Sequence, residues 1–600
     1  MPHHLRSRVL PALGGAALAA LIAVAAVPTA QAGDDPDPQL EAAPAAALTG
    51  GDSILNMFEW NWNSIAAECA GPLADSGYTH VQTSPPNEHI LGSDASPGEE
   101  NAWYIHYQPV SYKIESRLGT RAEYADMIAT CEANGIGVIA DVVINHMAAG
   151  SSSQTRTGWA GSQYRQFDYP DAGFDASDFH NTGSSYCEID NYQDRNEVQN
   201  CHLVGLNDLD TSQADVRETI AAYLDDLQSL GVDGFRVDAA KHIAATDLAA
   251  IFDLVSGDPY VVQEVIGAAG EPITEAEYTG IGDVQEFSYS YDLKNHINGG
   301  SESRHLTTMG TSWGYTAPAG VFVANHDTER GSLTMNYNNG QDYLLGEAFM
   351  LAYPFGTPAS YTGYSFSTSH AGPPLNSDGT VADVDCGSDA FTCIHRSPYM
   401  SGMAGFRAAT AGEAVVNTWG SGDALAFGRG DTGHAVVNAG SSSITQTFTT
   451  SMPDGAYVDV ISGSTVSVSG GAFTATVAAK TALAIYAGNE SGGGNGGGGT
   501  TNDCVDVNAT VSGTSVGDEV YIVGSIPQLG NWTAISSAHL SGASYPVWKG
   551  TVSVPAGTTF QYKYVIVRSS GAYTWESVGN RTATVPAAGC LELNQTWNAS

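Results

Sequence analysis

Four carboxylic acids, Asp141, Asp238, Glu264 and Asp327, stand at or just past the ends of short apolar runs, with three basic side chains close by in the chain. The runs are IGVIADVVINH (136–146), VDGFRVD (232–238), YVVQEV (260–265) and VFVANHD (321–327), and they carry His146, Arg236 and His326. Any one of these acids is as well explained by a helix cap or a solvated loop. Four of them on the same kind of strand end are not. Clustered carboxyls with aromatic neighbours, and no phosphate-binding glycine loop, point to cleavage of a glycosidic bond. That reaction needs one carboxylate as nucleophile and a second carboxyl held protonated as acid, their pKa values pushed apart by their surroundings. Arg236 lies two residues from Asp238, so on a strand it projects from the same side and would keep Asp238 ionised.

Residues so far apart in the chain meet only if a scaffold gathers their strand ends. Further runs, ILNMFEW (54–60), THVQTS (79–84) and VQEFS (284–288), alternate with helical stretches such as DVRETIAAYLDDLQSLG (215–231) from Ile54 to about Phe355. Repeated strand–helix units over this length predict an α/β fold, a (β/α)8 barrel whose C-terminal strand ends open onto one face. Residues 147–207, rich in Gly, Ser, Asn and Tyr, interrupt the rhythm as an inserted side domain after the third strand. Val/Thr alternation over 405–488 predicts an all-β domain following a catalytic region at 48–404. SGGGNGGGGTT (491–501) is a flexible linker within 489–502, and EVYIVGS, WKGTVSV and FQYKYVIV beyond it predict a second all-β domain at 503–600.

The formal net charge of −42 repels phosphate backbones and anionic lipid, so nucleic-acid and membrane-surface partners are excluded in favour of neutral or cationic ones. Arg6 and Arg8, the apolar run Leu13–Val27 and Ala30-Gln31-Ala32 read as an export signal over 1–32, with a flexible Pro/Ala/Asp-rich segment at 33–47. The protein is therefore expected outside the cell. Eight cysteines in an exported chain, with no C-x-x-C pair, point to disulfides rather than metal sites. Cys187/Cys201 and Cys386/Cys393 look like local staples and Cys504 and Cys590 bracket the last domain, but spacing alone leaves the pairing open.

At the acids a family becomes recognisable. DVVINH (141–146), GFRVDAAKH (234–242), Glu264-Val265 and FVANHD (322–327) resemble the four signature segments of the alpha-amylases of glycoside hydrolase family 13. LNDLD (206–210) is similar to the extra segment before the fourth strand, and SPPNEH (84–89) and WYIHYQPVSY (103–112) resemble animal-type members and their bacterial relatives. The resemblance covers about 48–488 and implies hydrolysis of internal α-1,4 bonds of starch and maltooligosaccharides by a monomer. It implies Asp238 as nucleophile, Glu264 as general acid/base and Asp327 as stabiliser of the distorted sugar. Arg236, His146 and His326 would hydrogen-bond that sugar and Tyr107 would stack on it. Trp103 and Tyr104 would line neighbouring subsites, with Lys241 and His242 beyond the cut.

The same resemblance implies a calcium ion held by Asn145, Asp208 and the backbone carbonyls of Gln199 and His242, a hard-oxygen set suited to that ion. Animal-type relatives often bind chloride. Arg236 and Asn325 match two of those positions, but the third falls near Ala359 in FGTPAS, without a basic residue, so chloride independence is expected. The last 100 residues resemble family-20 starch-binding modules, with Trp532 and Trp575 as stacking rings beside Lys563 and Asn580. Tyr545 and Trp548 would form a second site, in which Val516 replaces a usual aromatic. Three other readings compete: a cyclodextrin-forming transglycosylase, a debranching or maltogenic enzyme of the same fold, and a non-catalytic glucan-binding protein.

Overall fold

In the computed structural model the described residues are 48, 51–490 apart from 75 and 389, and 504–598 apart from 515–517, 533–537, 555–556, 569–572 and 587–589. The export signal, the segment 33–47, nearly all of the linker and Val516 lie outside them.

Eight parallel strands close into a barrel in chain order: Ile54–Met57, His80–Thr83, Gly137–Val142, Gly234–Val237, Tyr260–Gln263, Asp283–Gln285, Ala319–Val321 and Thr357–Thr362. The ring closes where Ile54 pairs with Ala359. Strands covered on both faces read as continuous apolar runs, which is why seven of the eight stand out in the sequence. The eighth, TPASYT, lies beyond Phe355, where the apolar pattern stops. Its polar side chains are satisfied inside: Ser360 Oγ donates to Glu347 Oε2 at 2.7 Å. Ala359 sits against Ile54, Ile139, Tyr260 and Val262, an apolar plug within the barrel.

The helices between strands carry local stop and start signals. Arg121–Ala133 begins in a capping box formed by Thr120 and Glu123, which satisfies two backbone donors that the first turn would leave free. Gln341–Ala352 is buried on nearly every side. It is packed between the barrel and the following β domain, where Leu345, Phe349, Phe406, Leu425 and Phe427 share one core.

Two excursions rise from the C-terminal end of the barrel. A hairpin after the second strand, Asn87–His89 with Pro109–Ile114, carries the short turn Trp103–Ile105. The side region after the third strand is closed at its base by a ladder pairing His146 with Asp208 and Met147 with Asn207. Disulfides join Cys69 to Cys131, Cys187 to Cys201 and Cys386 to Cys393, so both local staples form. Cys590 is disulfide-bonded too, while the side chain of Cys504 lies outside the described residues.

A helix, Ser401–Ala409, spans the position where the sequence placed the change to β structure. The strands themselves run from Val415 to Tyr486 in one four-stranded and two two-stranded sheets. The last domain is an eight-stranded sheet around Val507, Val520, Ile522, Phe560 and Tyr564. Among the described residues no helix is long and apolar enough to cross a membrane.

Candidate active site

Parallel pairing sets the first geometric fact. Val237 is in register with Gln263, and Asp238 and Glu264 are the next residues on those two neighbouring strands. Their backbones continue the ladder, Glu264 N–H donating to Val237 O at 3.0 Å and Asp238 N–H to Val142 O at 3.0 Å. Adjacent strands lie about 4.8 Å apart, so side chains rising from consecutive strand ends stand roughly as close as the 5–5.5 Å that separates the two carboxyls of retaining glycosidases. In the next residue, Ala239, the chain turns through left-handed φ of +49°. A non-glycine residue in that conformation costs energy that the surrounding fold must offset. The turn aims the Ala239 N–H at Glu264 Oε2, 2.9 Å away.

One guanidinium serves three acids. Arg236, 1 % exposed, donates from Nη1 to Asp238 Oδ1 at 2.6 Å and to Asp141 Oδ1 at 2.9 Å, and its Nη2 lies 3.0 Å from Glu264 Oε2. Burial pushes the Asp238 carboxyl up, Glu264 and Asp141 add to the rise, and Arg236 opposes it. Asp141 is likewise raised by burial against Arg236. Asp327 is raised by desolvation and by Glu264, although its 39 % exposed side chain leaves water to moderate the shift. Burial thus disfavours the charged forms of Asp141, Asp238 and Asp327, and Arg236 opposes that rise at each of them.

Aromatic rings wall the cleft. His326 is sandwiched between Phe58, with centroids 4.7 Å apart, and Tyr107, 5.1 Å away. Trp103 meets His326 edge-on at 5.4 Å. Tyr107 OH donates to Asp141 Oδ2 at 2.7 Å, which ties the wall to the acids. Tyr104 OH donates to Glu99 Oε2 at 2.5 Å. Behind the wall Arg330 lies over Phe366 at 4.4 Å and over Trp103 at 5.3 Å. Neither Phe58 nor Arg330 was singled out by the sequence, because the cage draws on four separate loops. The same is true of a buried cluster one layer deeper, where Glu59 Oε1 meets His106 Nδ1 at 2.5 Å and Glu59 Oε2 lies 3.5 Å from Arg117 Nη2.

His146 is held from two sides. Its Nε2 donates to the Tyr107 carbonyl at 3.1 Å and its Nδ1 accepts from Asn145 Nδ2 at 3.2 Å, so both ring nitrogens are engaged within the protein. The ladder to Asp208 draws the ring under the backbone of Tyr107, and burial lowers its pKa to about 4. Lys241 is also occupied: its ammonium donates to Ile266 O at 2.6 Å, pairs with Glu271 and lies 5.0 Å over the Tyr192 ring. His242 Nδ1 donates to Val198 O at 2.9 Å, joining the helix Arg195–Asn200, which holds Gln199, to the turn Ala240–His242 that follows the strand Gly234–Val237.

The oxygen-rich corner beside this site suits a hard cation. Asp208 is buried, and burial pushes its carboxyl up to about 7, with His180 Nδ1 at 2.7 Å opposing the rise. Such a carboxylate gains from a nearby positive charge. Asn145 adjoins it, and the segments carrying Gln199 and His242 are held together by the Val198–His242 bond. The residues fit calcium. Among the described residues no three His, Cys, Asp or Glu side chains form a metal cluster, so carbonyl oxygens would have to complete the shell.

On the terminal domain one sheet face gathers most of the expected sugar-binding side chains. Val523 pairs with Lys563 and Tyr521 with Val565, while Val565 also pairs with Trp575. Directly paired residues share a face, and so do alternate residues along a strand. Trp532 packs on Val523 and Val565, Trp575 is 42 % exposed, and Asn580 Nδ2 donates to Gln561 Oε1 at 3.3 Å. Trp548 is 8 % exposed and packs with Val507, Val552 and Leu593, while Tyr545 stands 57 % exposed on its turn.

A closed parallel barrel with paired carboxyls on neighbouring strand ends is an arrangement that glycoside hydrolases use, and similarity to known proteins assigns the chain to that class. Family models match at residues 98–270 (alpha amylase, catalytic domain), 419–488 (alpha amylase, C-terminal all-beta domain) and 504–594 (starch binding domain). An alpha-amylase of Streptomyces violaceus is 45 % identical over 93 % of this chain and 96 % of its own. One from the beetle Tenebrio molitor is 38 % identical over 71 % of this chain and 92 % of its own. The structure of a mutant alpha-amylase I from Eisenia fetida, in complex with maltohexaose, superposes with a TM-score of 0.69. It is 34 % identical and covers 73 % of this chain and 97 % of its own. The chain belongs to the alpha-amylase family.

Proposed function

We infer that the protein is an alpha-amylase that hydrolyses internal α-1,4-glucosidic bonds of starch with retention of anomeric configuration. The observation that carries this reading is Arg236 reaching both Asp238 and Glu264 at the ends of neighbouring strands. Asp238 attacks the anomeric carbon and forms an ester bond while the bond to the bridging oxygen breaks, and Glu264 gives its proton to that oxygen. Glu264, now a carboxylate, takes a proton from water. The water oxygen bonds the anomeric carbon, the ester to Asp238 breaks, and both acids return to their starting states. Asp327, with His326 Nε2 3.4 Å away, stabilises the positive charge that develops on the sugar ring. Trp103, Tyr104 and Tyr107 offer rings to neighbouring sugars.

Asn145, Asp208 and the carbonyls of Gln199 and His242 would hold calcium, which supplies structural charge compensation rather than a reacting group. Ala359, inside the apolar plug, offers nothing to chloride. Trp532 and Trp575 would stack on starch while Lys563 and Asn580 bond its hydroxyls, with Tyr545 a lesser contact. The disulfides support export to an oxidising compartment. The test is Asp238→Asn. It should lose starch hydrolysis by at least about 10⁴-fold, a loss typical of removing a group whose interactions are made only in the transition state, with an unchanged melting transition. Appreciable hydrolysis by the folded variant would refute the assignment.

A further inference from the structure

An open groove of about 640 Å³ lies on the side region, lined by Arg165, Phe167, Asp168, Asp175 and Tyr186 among others. We propose that this groove is a second α-glucan-binding site, separate from both the cleft and the terminal domain. The proposal rests on the starch-hydrolysing reading above.

Its floor is built in advance of any ligand. Arg165 and Asp168 exchange backbone hydrogen bonds of 3.1 and 3.0 Å, and Arg165 Nε donates to Asp168 Oδ2 at 2.7 Å. At the tip of this tight turn Phe167 takes φ of +59°, a position that ordinarily belongs to glycine or asparagine. The turn is pressed onto the chain behind it, where a Cβ on Gly150 would meet Gln166 N at 2.2 Å. A bulky ring held in a strained turn is a recurrent mark of a functional surface.

Phe167 and Tyr186 line the wall, and the buried ring of His202 backs them. Tyr186, 38 % exposed, lies over His202 with centroids 4.5 Å apart, and His202 lies 5.4 Å from Phe167. Tyr186 and His202 are the immediate chain neighbours of Cys187 and Cys201, which form a disulfide. His202 N–H also donates to Cys187 O at 2.9 Å. The crosslink therefore clamps the rings and lowers the entropy lost when a ligand settles on them.

The chemistry selects the ligand. Arg165 is neutralised by Asp168, and Asp175 adds a negative charge, so anions are disfavoured. Rigid rings beside carboxylate acceptors match a neutral chain that presents apolar C–H faces and many hydroxyls. The volume falls within the roughly 300–1,000 Å³ typical of ligand sites.

Tyr186→Ala in the full-length protein tests this, because the ring is surface-exposed and its loss should spare the fold. Hydrogen exchange of the wild type with maltoheptaose should show protection of 165–168 and 183–188, and the variant should lose it. The kcat/KM on soluble amylose should fall about 3- to 10-fold, the size of one lost aromatic contact, mainly through KM. Hydrolysis of a nitrophenyl maltotrioside, which fills only the cleft, should stay within about twofold on the same scale. Unprotected groove segments, or equal amylose kinetics for the two proteins, would overturn the proposal. If the wild type hydrolysed neither substrate, the enzyme reading would fall, and the exchange pattern would still decide the groove.

Discussion

Arg236 donates to Asp141 and Asp238 and reaches Glu264, and this sharing explains which side chains could be read from the sequence. Asp238, Glu264 and Asp327 were legible because strand ends in a barrel converge, and Arg236 because two residues on a strand face the same way. The tethering of His146 was not legible, since it depends on the Tyr107 carbonyl, brought by a separate hairpin. Glu59 was missed for a related reason: nothing near it in the chain marks the His106 and Arg117 that join it. Burial pushes Glu59 from 4.5 up to about 8, with Arg117 opposing. The folded chain therefore keeps this proton in a range where the unfolded chain has released it, and stability falls as pH rises through that window. Glu59→Gln, which mimics the protonated acid, should flatten the loss of urea stability between pH 5 and pH 8 by a substantial part. The same pH dependence in variant and wild type would contradict this account.

At the scale of elements, neighbouring strands do the positioning. The ladder that pairs Val237 with Gln263 leaves Asp238 and Glu264 about one strand spacing apart, and no loop adjustment is needed. Seven strands were readable as apolar runs. The eighth was not, because TPASYT buries hydroxyls whose partners come from elsewhere in the chain, Glu347 for Ser360 and Glu329 for Tyr361. The side region is tied to the barrel by the two-residue ladder at His146 and Asp208 and by the His242–Val198 bond, so a cation there would brace three segments at once. Thorough EDTA treatment should lower Tm by about 5–10 °C, as expected for loss of a ligand present at roughly 100 times its Kd. Asp208→Asn should make Tm indifferent to EDTA. A melting curve unmoved by EDTA in the wild type would argue against the metal.

At the scale of the whole molecule, the strand–helix rhythm of the barrel and the strand-rich stretches after it were legible in the sequence, while nearly all of the linker at 489–502 lies outside the described residues. What separates a binding ring from a core ring was not legible. Trp532 and Trp575 share a face with Lys563, whereas Trp548 packs with the core residues Val507, Val552 and Leu593. Trp532→Ala combined with Trp575→Ala should therefore cut adsorption to granular starch by at least about tenfold, each lost ring being worth roughly 0.5–1.5 kcal/mol beyond its buried area. Trp548→Ala should instead lower the melting temperature of the terminal domain. Undiminished adsorption by the double variant would remove the binding role. The central claim, that two carboxyls on adjacent strands act by double displacement, is tested most directly by proton NMR of the sugar first released from soluble starch. The account predicts that the α-anomer appears first and mutarotates to β afterwards. A first-formed β-anomer would mean that water attacks directly, and the account would be wrong.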